Sequence, residues 1–206
     1  MENHAKVAHP AHHTRRWRYM QFKATPLSIP DVILIAPRRF ADTRGYFMVT
    51  YEEGEFRRLG LPDFVQDNQA HSVRAGTIRG LHFQRLPHEQ GKLVRVLKGA
   101  AFDVAVDIRQ GSPTFGEWTA VTLTAQSAEQ LFVPRGFAHG YCTLEDDTEI
   151  AYKCDSVYVP AADAGFLFSD PTVGVDWPVA AEAAVTSDKD RALPSFTDLF
   201  AAPSVR

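Results

Sequence analysis

The sequence contains the stretch FDVAVDIR at residues 102–109, in which Phe, Val, Val and Ile alternate with Asp, Ala and Asp. Alternation with a period of two predicts a β-strand that has one face in a core and one polar face. The stretch KLVRVL at residues 92–97 is a second strand candidate, and Lys98-Gly99 follows it directly. A glycine turn between two such runs predicts that they pair as a β-hairpin.

The same pattern of strands and turns continues on both sides. Further β-rich runs lie at residues 119–124, 130–133, 149–152 and 156–159, and turn clusters separate them at residues 109–113 and 134–136. Residues 52–59 are predicted to form a helix, and the chain from Ala180 onward is predicted to form loops and short helices. Many short strands in one domain predict an all-β sandwich or barrel.

Composition narrows the functional classes. The 206 residues are 45% hydrophobic and 23% charged, with a formal net charge of −3 at pH 7. This balance predicts a globular domain and argues against binding to nucleic acid. No run approaches the ~20 consecutive apolar residues of a membrane helix, so no membrane association is expected. The two cysteines, Cys142 and Cys154, are too few for a disulfide framework and lack the spacing of a zinc site.

The first 19 residues differ from the rest of the chain. They carry four basic residues against one acidic residue, together with four histidines, and they lack the apolar segment of a secretory signal. We expect residues 1–19 to be a disordered or non-native leader. Residues 20–206 are then expected to form a single domain.

One predicted strand carries polar side chains of interest. In the stretch TIRGLHFQ at residues 77–84, strict alternation places His82 and Gln84 on the same face. A lone histidine there would be a hydrogen-bonded core residue. Arg79 and Lys92 change that interpretation, because three basic groups then converge on one region. Buried cations are unfavourable unless they meet an anion, so this region is a candidate site for an anionic ligand.

A second motif suggests the fold. The stretch PRGFAHGY at residues 134–141, taken with residues 76–84, resembles the two motifs of the cupin superfamily, whose members are jelly-roll β-barrels. Metal-dependent cupins carry two histidines in the first motif, where this chain has His82 and then Gln84. A neutral amide is a poor ligand for transition metals, so the remaining set of His82, Glu89 and His139 is disfavoured as a metal site.

Taken together, the motifs resemble one family, the dTDP-4-dehydrorhamnose 3,5-epimerases, which are metal-free cupin enzymes of deoxysugar-nucleotide biosynthesis. The resemblance covers about residues 22–196. The motifs that carry it are RGYF at 44–47, QDN at 66–68, RGLHFQ at 79–84, KLVRV at 92–96, DVAVDIR at 103–109, SPTFG at 112–116, GFAHG at 136–140, YK at 152–153, Tyr158, DP at 170–171, WP at 177–178 and SDKD at 187–190.

The resemblance implies a role for each of several residues. His82 would be the base, Asp190 its carboxylate partner, Tyr152 the acid on the opposite face, and Lys92 a cation near the sugar ketone. The substrate-binding residues that it implies are Arg44, Phe47, Gln66, Asn68, Arg79, His139 and Tyr158, of which Tyr158 would stack on the nucleobase. It also implies a nucleotide-sugar substrate, a homodimer, a cytoplasmic location, and neither cofactor nor metal.

The chemistry explains why these residue types are needed. In a 4-keto sugar, the hydrogens at C3 and C5 are both α to a carbonyl, so a base can remove either one. Histidine suits this task because its ordinary pKa lies near neutral pH. Negative charge then builds on the ketone oxygen, where Lys92 would stabilise it. Tyr152 would return a proton to the opposite face, which inverts the centre.

Three positions depart from the family pattern, namely Val49 in place of a glutamate that helps to hold the base, Ala70 in place of a serine, and Ser169 in place of an asparagine. The catalytic residues match the family, whereas these positions belong to the residues around the ligand. The resemblance therefore defines the reaction class more closely than the identity of the nucleotide or sugar. The alternatives are inversion at C3 alone, a different nucleotide sugar, a metal-dependent cupin, and a non-catalytic carbohydrate-binding jelly roll. We expect inversion at both C3 and C5, because Val49 and Ala70 remove polar groups without narrowing the pocket.

Overall fold

The computed structural model describes residues 21–200, so the predicted leader lies outside the described residues. In this range the strands are Phe22–Pro26 (β1), Ile33–Pro37 (β2), Arg39–Asp42 (β3), Gly45–Met48 (β4), Gln66–Ser72 (β5), Ile78–Gln84 (β6), Lys92–Lys98 (β7), Ala100–Asp107 (β8), Trp118–Thr124 (β9), Gln130–Val133 (β10), Phe137–Thr143 (β11), Thr148–Cys154 (β12) and Asp163–Gly165 (β13). The α-helices are Glu53–Arg58 (α1), Asp188–Arg191 (α2) and Phe196–Phe200 (α3). None of the helices in residues 21–200 has the length and apolar character to cross a membrane.

Two antiparallel sheets make up the fold. One has the order β1-β2-β10-β7-β12-β5 and the other the order β13-β6-β11-β8-β9. Their inner faces share one core, in which Val94, Leu131 and Ile150 of the first sheet pack with Ala105 and Leu123 of the second. The all-β prediction with cupin-type sheets is therefore confirmed. The single-domain boundary at residues 20–206 stays a prediction.

The predicted hairpin is wrong, although both of its strands exist. β7 pairs with β10 and β12, whereas β8 pairs with β11 and β9, so the two strands lie in different sheets. The chain crosses between the sheets at Gly99, which has a φ of +78°. A Cβ at Gly99 would lie 2.5 Å from Oγ1 of Thr148. Glycine therefore permits a sharp passage from one sheet to the other at this point.

The predicted strand at residues 156–159 is also wrong. The segment is irregular, because side-chain amides rather than a neighbouring strand take up its backbone N–H groups. The N–H of Tyr158 donates to Oε1 of Gln66 at 2.8 Å, and the N–H of Val159 donates to Oε1 of Gln84 at 2.6 Å. The segment is thereby attached to both sheets at the edge of the cavity described below.

The helix predicted at residues 52–59 is confirmed as α1, whose first N–H groups donate to the side chain of Glu52. The prediction that β8 is half buried is only partly right. Both of its faces are covered. Val104 and Val106 lie under the chain from Phe166 to α3, which packs on the outside of the second sheet. Asp103 and Asp107 share the opposite face with Ala105, and this face is turned toward the first sheet. Asp103 and Asp107 are consequently fully buried. The same covering segment brings α2 against β6, which places Asp190 beside the cavity.

Candidate active site

A cavity of about 510 Å³ opens between the two sheets, and a second cavity of about 380 Å³ adjoins it. His82, Lys92 and Tyr152 line both cavities, so the two form one continuous site. Nine of the eleven residues proposed from the sequence line this site. They are His82, Lys92, Tyr152, Asp190, Arg79 and His139 in the first cavity, with Gln66, Asn68 and Tyr158 in the second.

His82 and Asp190 form a hydrogen-bonded pair on one wall. Nε2 of His82 lies 2.9 Å from Oδ1 of Asp190, and the N–H of Gly80 donates to the other carboxylate oxygen at 3.4 Å. Burial disfavours ionisation of Asp190, but the hydrogen bond and charge of His82 outweigh it. The pKa of this carboxyl therefore lies below its usual value. When Nε2 donates to the carboxylate, the lone pair of the neutral ring lies on Nδ1.

An irregularity in β6 brings Arg79 and His82 to the same cavity. The register against β11 shifts between His82, which pairs with His139, and Arg79, which pairs with Tyr141. The strict alternation expected from the sequence is interrupted there, at Gly80. A Cβ at Gly80 would lie 2.6 Å from Cα of Gly140, so no larger residue fits between the strands. This bulge allows two side chains three positions apart to face one ligand.

Lys92 begins β7 and lies on the wall opposite His82, in the other sheet. Loss of hydration lowers the pKa of Lys92 below its usual value, and the charges of Cys154, Asp103 and Asp163 act in the opposite direction. Its ammonium makes no salt bridge with any residue of the described range. A cation held this way is available to an anionic group of a ligand.

Tyr152 of β12 stands on the same sheet as Lys92 and therefore also across the cavity from His82. Burial raises the pKa of the Tyr152 phenol, and nearby Arg79 lowers it by a smaller amount. The phenol thus keeps its proton at neutral pH and can donate it. The site therefore holds a basic imidazole on one wall and a proton donor on the other.

The adjoining cavity is built from amides and an aromatic ring. Nε2 of Gln66 donates to Oδ1 of Asn68 at 2.9 Å, and Nδ2 of Asn68 lies 3.6 Å from Sγ of Cys154. Tyr158 is 48% exposed at the mouth of this cavity. Neutral hydrogen-bonding groups next to an exposed ring suit a polar, planar heterocycle.

His139 forms a second pair with a carboxylate. Its Nε2 lies 2.9 Å from Oδ1 of Asp103, and both side chains are almost completely buried. His139 lines the first cavity from β11, directly opposite His82 in the pairing of the two strands. Two His–Asp pairs thus lie side by side, with both histidines on neighbouring strands of the second sheet.

The sequence model of the family described as dTDP-4-dehydrorhamnose 3,5-epimerase matches residues 26–198. The chain belongs to the dTDP-4-dehydrorhamnose 3,5-epimerase family. The resemblance drawn from the motifs is thereby confirmed, and the match covers almost all of the described range.

Individual members of this family are similar over most of their length. The dTDP-4-dehydrorhamnose 3,5-epimerase of Sinorhizobium fredii is 49% identical over 177 residues, which cover 84% of this chain and 89% of the relative. The crystal structure of the Bacillus anthracis enzyme, with TDP and PPi bound, matches with a TM-score of 0.82 and 45% identity, covering 84% of this chain and 99% of that one. The Legionella pneumophila dTDP-6-deoxy-D-glucose-3,5-epimerase, in complex with dTDP-4-keto-L-rhamnose, matches with a TM-score of 0.80 and 40% identity, covering 84% and 92%.

Two of the residues that the epimerase family implies lie away from the cavities of this chain. Arg44 and Phe47 belong to the hairpin of β3 and β4, which forms a separate two-stranded sheet. Arg44 is highly exposed and pairs with Asp42 of its own turn at 2.6 Å. Phe47 is 67% exposed. One chain therefore does not bring these two side chains to His82.

The metal set that a different kind of cupin would use does not converge. Glu89 lines a separate cavity, whereas His82 and His139 each direct Nε2 to an aspartate. The amide of Gln84 is engaged by the backbone, since Nε2 donates to the carbonyls of His88 and Val157. Among residues 21–200, no group of three or more His, Cys, Asp or Glu side chains is arranged to hold a metal ion.

The three departures from the epimerase pattern lie in different places. Ala70 lines the first cavity. Val49 instead packs in an apolar cluster with Phe56, and Ser169 lines a surface cavity near Trp177. Within one chain, Ala70 is therefore the only one of the three that touches the site.

Lys189 and Asp163 also line the site and form an ion pair at its edge, although no role for them was predicted from the sequence. Lys189 lies inside the SDKD motif beside Asp190, so its position could have suggested it. No sequence pattern singles out Asp163, because it lies outside all of the family motifs and directly after an irregular segment. Tyr141, the last residue of the stretch PRGFAHGY, lines the first cavity as well, and the sequence predicted no role for it.

Proposed function

We propose that the chain inverts C3 and C5 of dTDP-4-dehydro-6-deoxy-D-glucose to give dTDP-4-dehydro-L-rhamnose, with His82 as the base. The observation that carries the proposal is the His82–Asp190 pair in a cavity whose opposite wall holds Tyr152 and Lys92. Membership of the epimerase family supports the same substrate class.

The base removes a proton from the carbon next to the ketone. Nδ1 of His82 carries the lone pair, and the ionised carboxylate of Asp190 stabilises the imidazolium that forms. Because Asp190 has a lowered pKa, it remains ionised throughout the neutral range. The proton therefore stays on the histidine and is not passed to the carboxylate.

Removal of that proton converts the ketone into an enolate. The ammonium of Lys92 has no salt bridge in the described range, so its charge is available to the enolate oxygen. Tyr152 then donates its phenolic proton to the face of the carbon opposite His82. Because the proton returns on the other face, the configuration at that carbon is inverted. His82 then releases its proton to water and Tyr152 regains one from water, so the same groups can act first at C3 and then at C5.

The remaining polar residues would bind the nucleotide. Arg79 supplies a positive charge to the diphosphate, and the amides of Gln66 and Asn68 line the path toward Tyr158. We assign the exposed Tyr158 ring to stacking on the base, because it stands at the mouth of the cavity. His139, buried against Asp103, supplies a fixed wall beside the sugar.

We further propose a homodimer in which the hairpin of β3 and β4 reaches the partner's cavity. The hairpin pairs with neither main sheet in the described range, and Phe40, Tyr46 and Phe47 are exposed on it. β5 is an edge strand whose Gln66, Asn68 and Ala70 line the cavities, so its open edge can accept another strand. Docking the hairpin there would bring Arg44 and Phe47 to the site.

Light scattering tests the dimer directly. The expected mass is twice the 23.0 kDa of one chain. Phe47→Asp should lower that mass and reduce turnover together, whereas Leu86→Asp, at another exposed apolar residue, should do neither. A stable monomer with full activity would refute the assignment.

A cytoplasmic location is also proposed, since Cys142 and Cys154 are both unpaired thiols, as in reducing compartments.

Incubation with dTDP-4-dehydro-6-deoxy-D-glucose in deuterated water tests the reaction. We expect deuterium at C3 first and then at C5, followed by NMR of the sugar protons, with His82→Asn as the inactive control. Complete exchange at C3 with none at C5 would make the chain a 3-epimerase. Absence of exchange at both carbons in folded protein would refute the epimerase function.

A further inference from the structure

Two short helices near the end of the described range begin with the same Ser-x-x-Asp pattern. Ser187 precedes α2 and Ser195 precedes α3. In each case the serine Oγ accepts a hydrogen bond from the N–H of the aspartate three residues later, at 3.0 Å for Asp190 and 3.1 Å for Asp198. Both serines therefore act as helix N-caps, and their cap hydrogen bonds have almost the same length.

The two aspartate side chains behave differently. The carboxylate of Asp198 turns back to its own cap, where Oγ of Ser195 donates to Oδ2 at 2.6 Å. The carboxylate of Asp190 turns away from its cap and meets Nε2 of His82 and the N–H of Gly80. A side chain at this helix position can reach back to the cap residue, as Glu or Gln does in a capping box. In α2 the carboxylate is used for the histidine instead.

The position of Asp190 consequently depends on a very small structure. α2 has four residues, and a helix of this length has no stability of its own. Its start is held by the Ser187 cap and by Arg191, whose guanidinium donates to the carbonyl and hydroxyl of Thr186. Of these contacts, the Ser187 bond alone acts on the backbone of Asp190 itself.

We propose that Ser187 is a positioning residue for the epimerase reaction, in that its Oγ fixes the backbone of Asp190 so that the carboxylate stays on His82. The inference rests on the proposed function, because it assumes that His82 is the base. Ser187 acts through Asp190, and its loss lets the carboxylate drift from the imidazole. A displacement of about 1 Å in a catalytic group reduces turnover by as much as 10²-fold.

The test compares Ser187→Ala with Ser195→Ala, a matched control that removes the same kind of cap from a helix without a site residue. We expect Ser187→Ala to lower kcat roughly tenfold with KM within about twofold of the wild type. Ser187→Thr, which retains a capping hydroxyl, should restore most of the activity. Both alanine variants should lower the melting temperature by a similar amount, because each removes one N-cap. Ser195→Ala should nevertheless keep the kcat of the wild type.

A double-mutant cycle shows whether Ser187 acts through Asp190. In an Asp190→Asn background, Ser187→Ala should cost little further activity, because the interaction that it supports is already gone. Independent, additive losses would overturn the proposal. A change confined to KM would also overturn it, because Ser187 lines the cavity and would then be a substrate contact.

The wild type is measured first in the same deuterium-exchange assay, which separates the two possible failures. If the wild type exchanges no proton, the proposed function fails and this inference fails with it. If the wild type is active and Ser187→Ala retains full kcat, only the inference fails. Should Ser187→Ala not fold, Ser187→Gly replaces it, since glycine is tolerated at an N-cap yet has no hydroxyl to hold Asp190.

Discussion

The two His–Asp pairs of the site have the same contact but different surroundings. In each pair, Nε2 of the histidine lies 2.9 Å from Oδ1 of the aspartate. The side chain of His82 is 30% exposed, whereas that of His139 is 7% exposed. Because a base must reach its substrate, exposure rather than hydrogen-bond geometry distinguishes His82 as the base.

The pairs also differ in how they are assembled. Asp103 and His139 lie on neighbouring strands of one sheet, so their separation is fixed by the strand register. Asp190 comes from a four-residue helix and reaches a histidine 108 positions earlier in the chain. The buried Asp103–His139 pair therefore stabilises the sheet. The more exposed His82–Asp190 pair depends instead on helix α2, which packs against the sheet but does not belong to it. Oδ2 of Asp103 has no hydrogen-bond partner in the described range, so this carboxylate relies on His139.

The largest effect should come from removing the exposed histidine. His82→Asn is expected to reduce kcat by about 10²- to 10⁴-fold, as for the loss of a general base. His139→Asn is the matched substitution in the buried pair, and we expect it to lower the melting temperature more than His82→Asn while reducing kcat less. Steady-state kinetics and thermal unfolding of both variants check this. Wild-type turnover in His82→Asn would end the assignment of the base.

Lys92 is expected to have the next largest effect. Lys92→Met should lower kcat about 10²-fold and change KM much less, because its charge matters most when the enolate forms. Arg79→Ala should show the reverse pattern, with a raised KM, if Arg79 binds the diphosphate. Initial-rate measurements on both variants separate the two roles. An exchange of the two patterns would mean that the roles are reversed.

Much of the fold and of the candidate site could be predicted from the sequence, and the features that were missed have physical explanations. Alternating residues located β8, and the motifs identified His82 and Asp190 as partners although they lie far apart. Pairing of β7 with β8 was predicted wrongly, because local pattern does not reveal that Gly99 carries the chain into the other sheet. The buried Asp103–His139 pair was also missed, because alternation alone does not show that the face of β8 with Asp103 is turned toward the first sheet.

Asp190→Asn should have a smaller effect than His82→Asn. The amide still occupies the space beside Nε2, but it lacks the charge that stabilises the imidazolium, so we expect kcat to fall roughly 10- to 100-fold. The result is measured by deuterium exchange at C3 under saturating substrate. A loss equal to that of His82→Asn would mean that the carboxylate itself takes part in proton transfer.

Asp103→Asn is expected to have the smallest effect. This variant tests whether the buried Asp103–His139 pair influences the reaction. Burial lowers the pKa of Lys92, and the negative charge of Asp103 raises it again in part. Removing that charge lowers the pKa of Lys92 further, so the ammonium loses its proton at a lower pH. The alkaline limb of the kcat profile should therefore move to lower pH, with kcat at pH 7 within about threefold of the wild type.

Asp107→Asn is the control for this last variant, because Asp107 is equally buried on the same strand yet is not among the charges that act on Lys92. Its carboxylate accepts hydrogen bonds from Arg109, Ser112 and Thr114, so its loss should lower the melting temperature. The alkaline limb should nevertheless stay where the wild type has it. If the limb is unmoved in Asp103→Asn as well, the buried pair serves the sheet alone, and the electrostatics of Lys92 depend on the remaining charges that line the cavity.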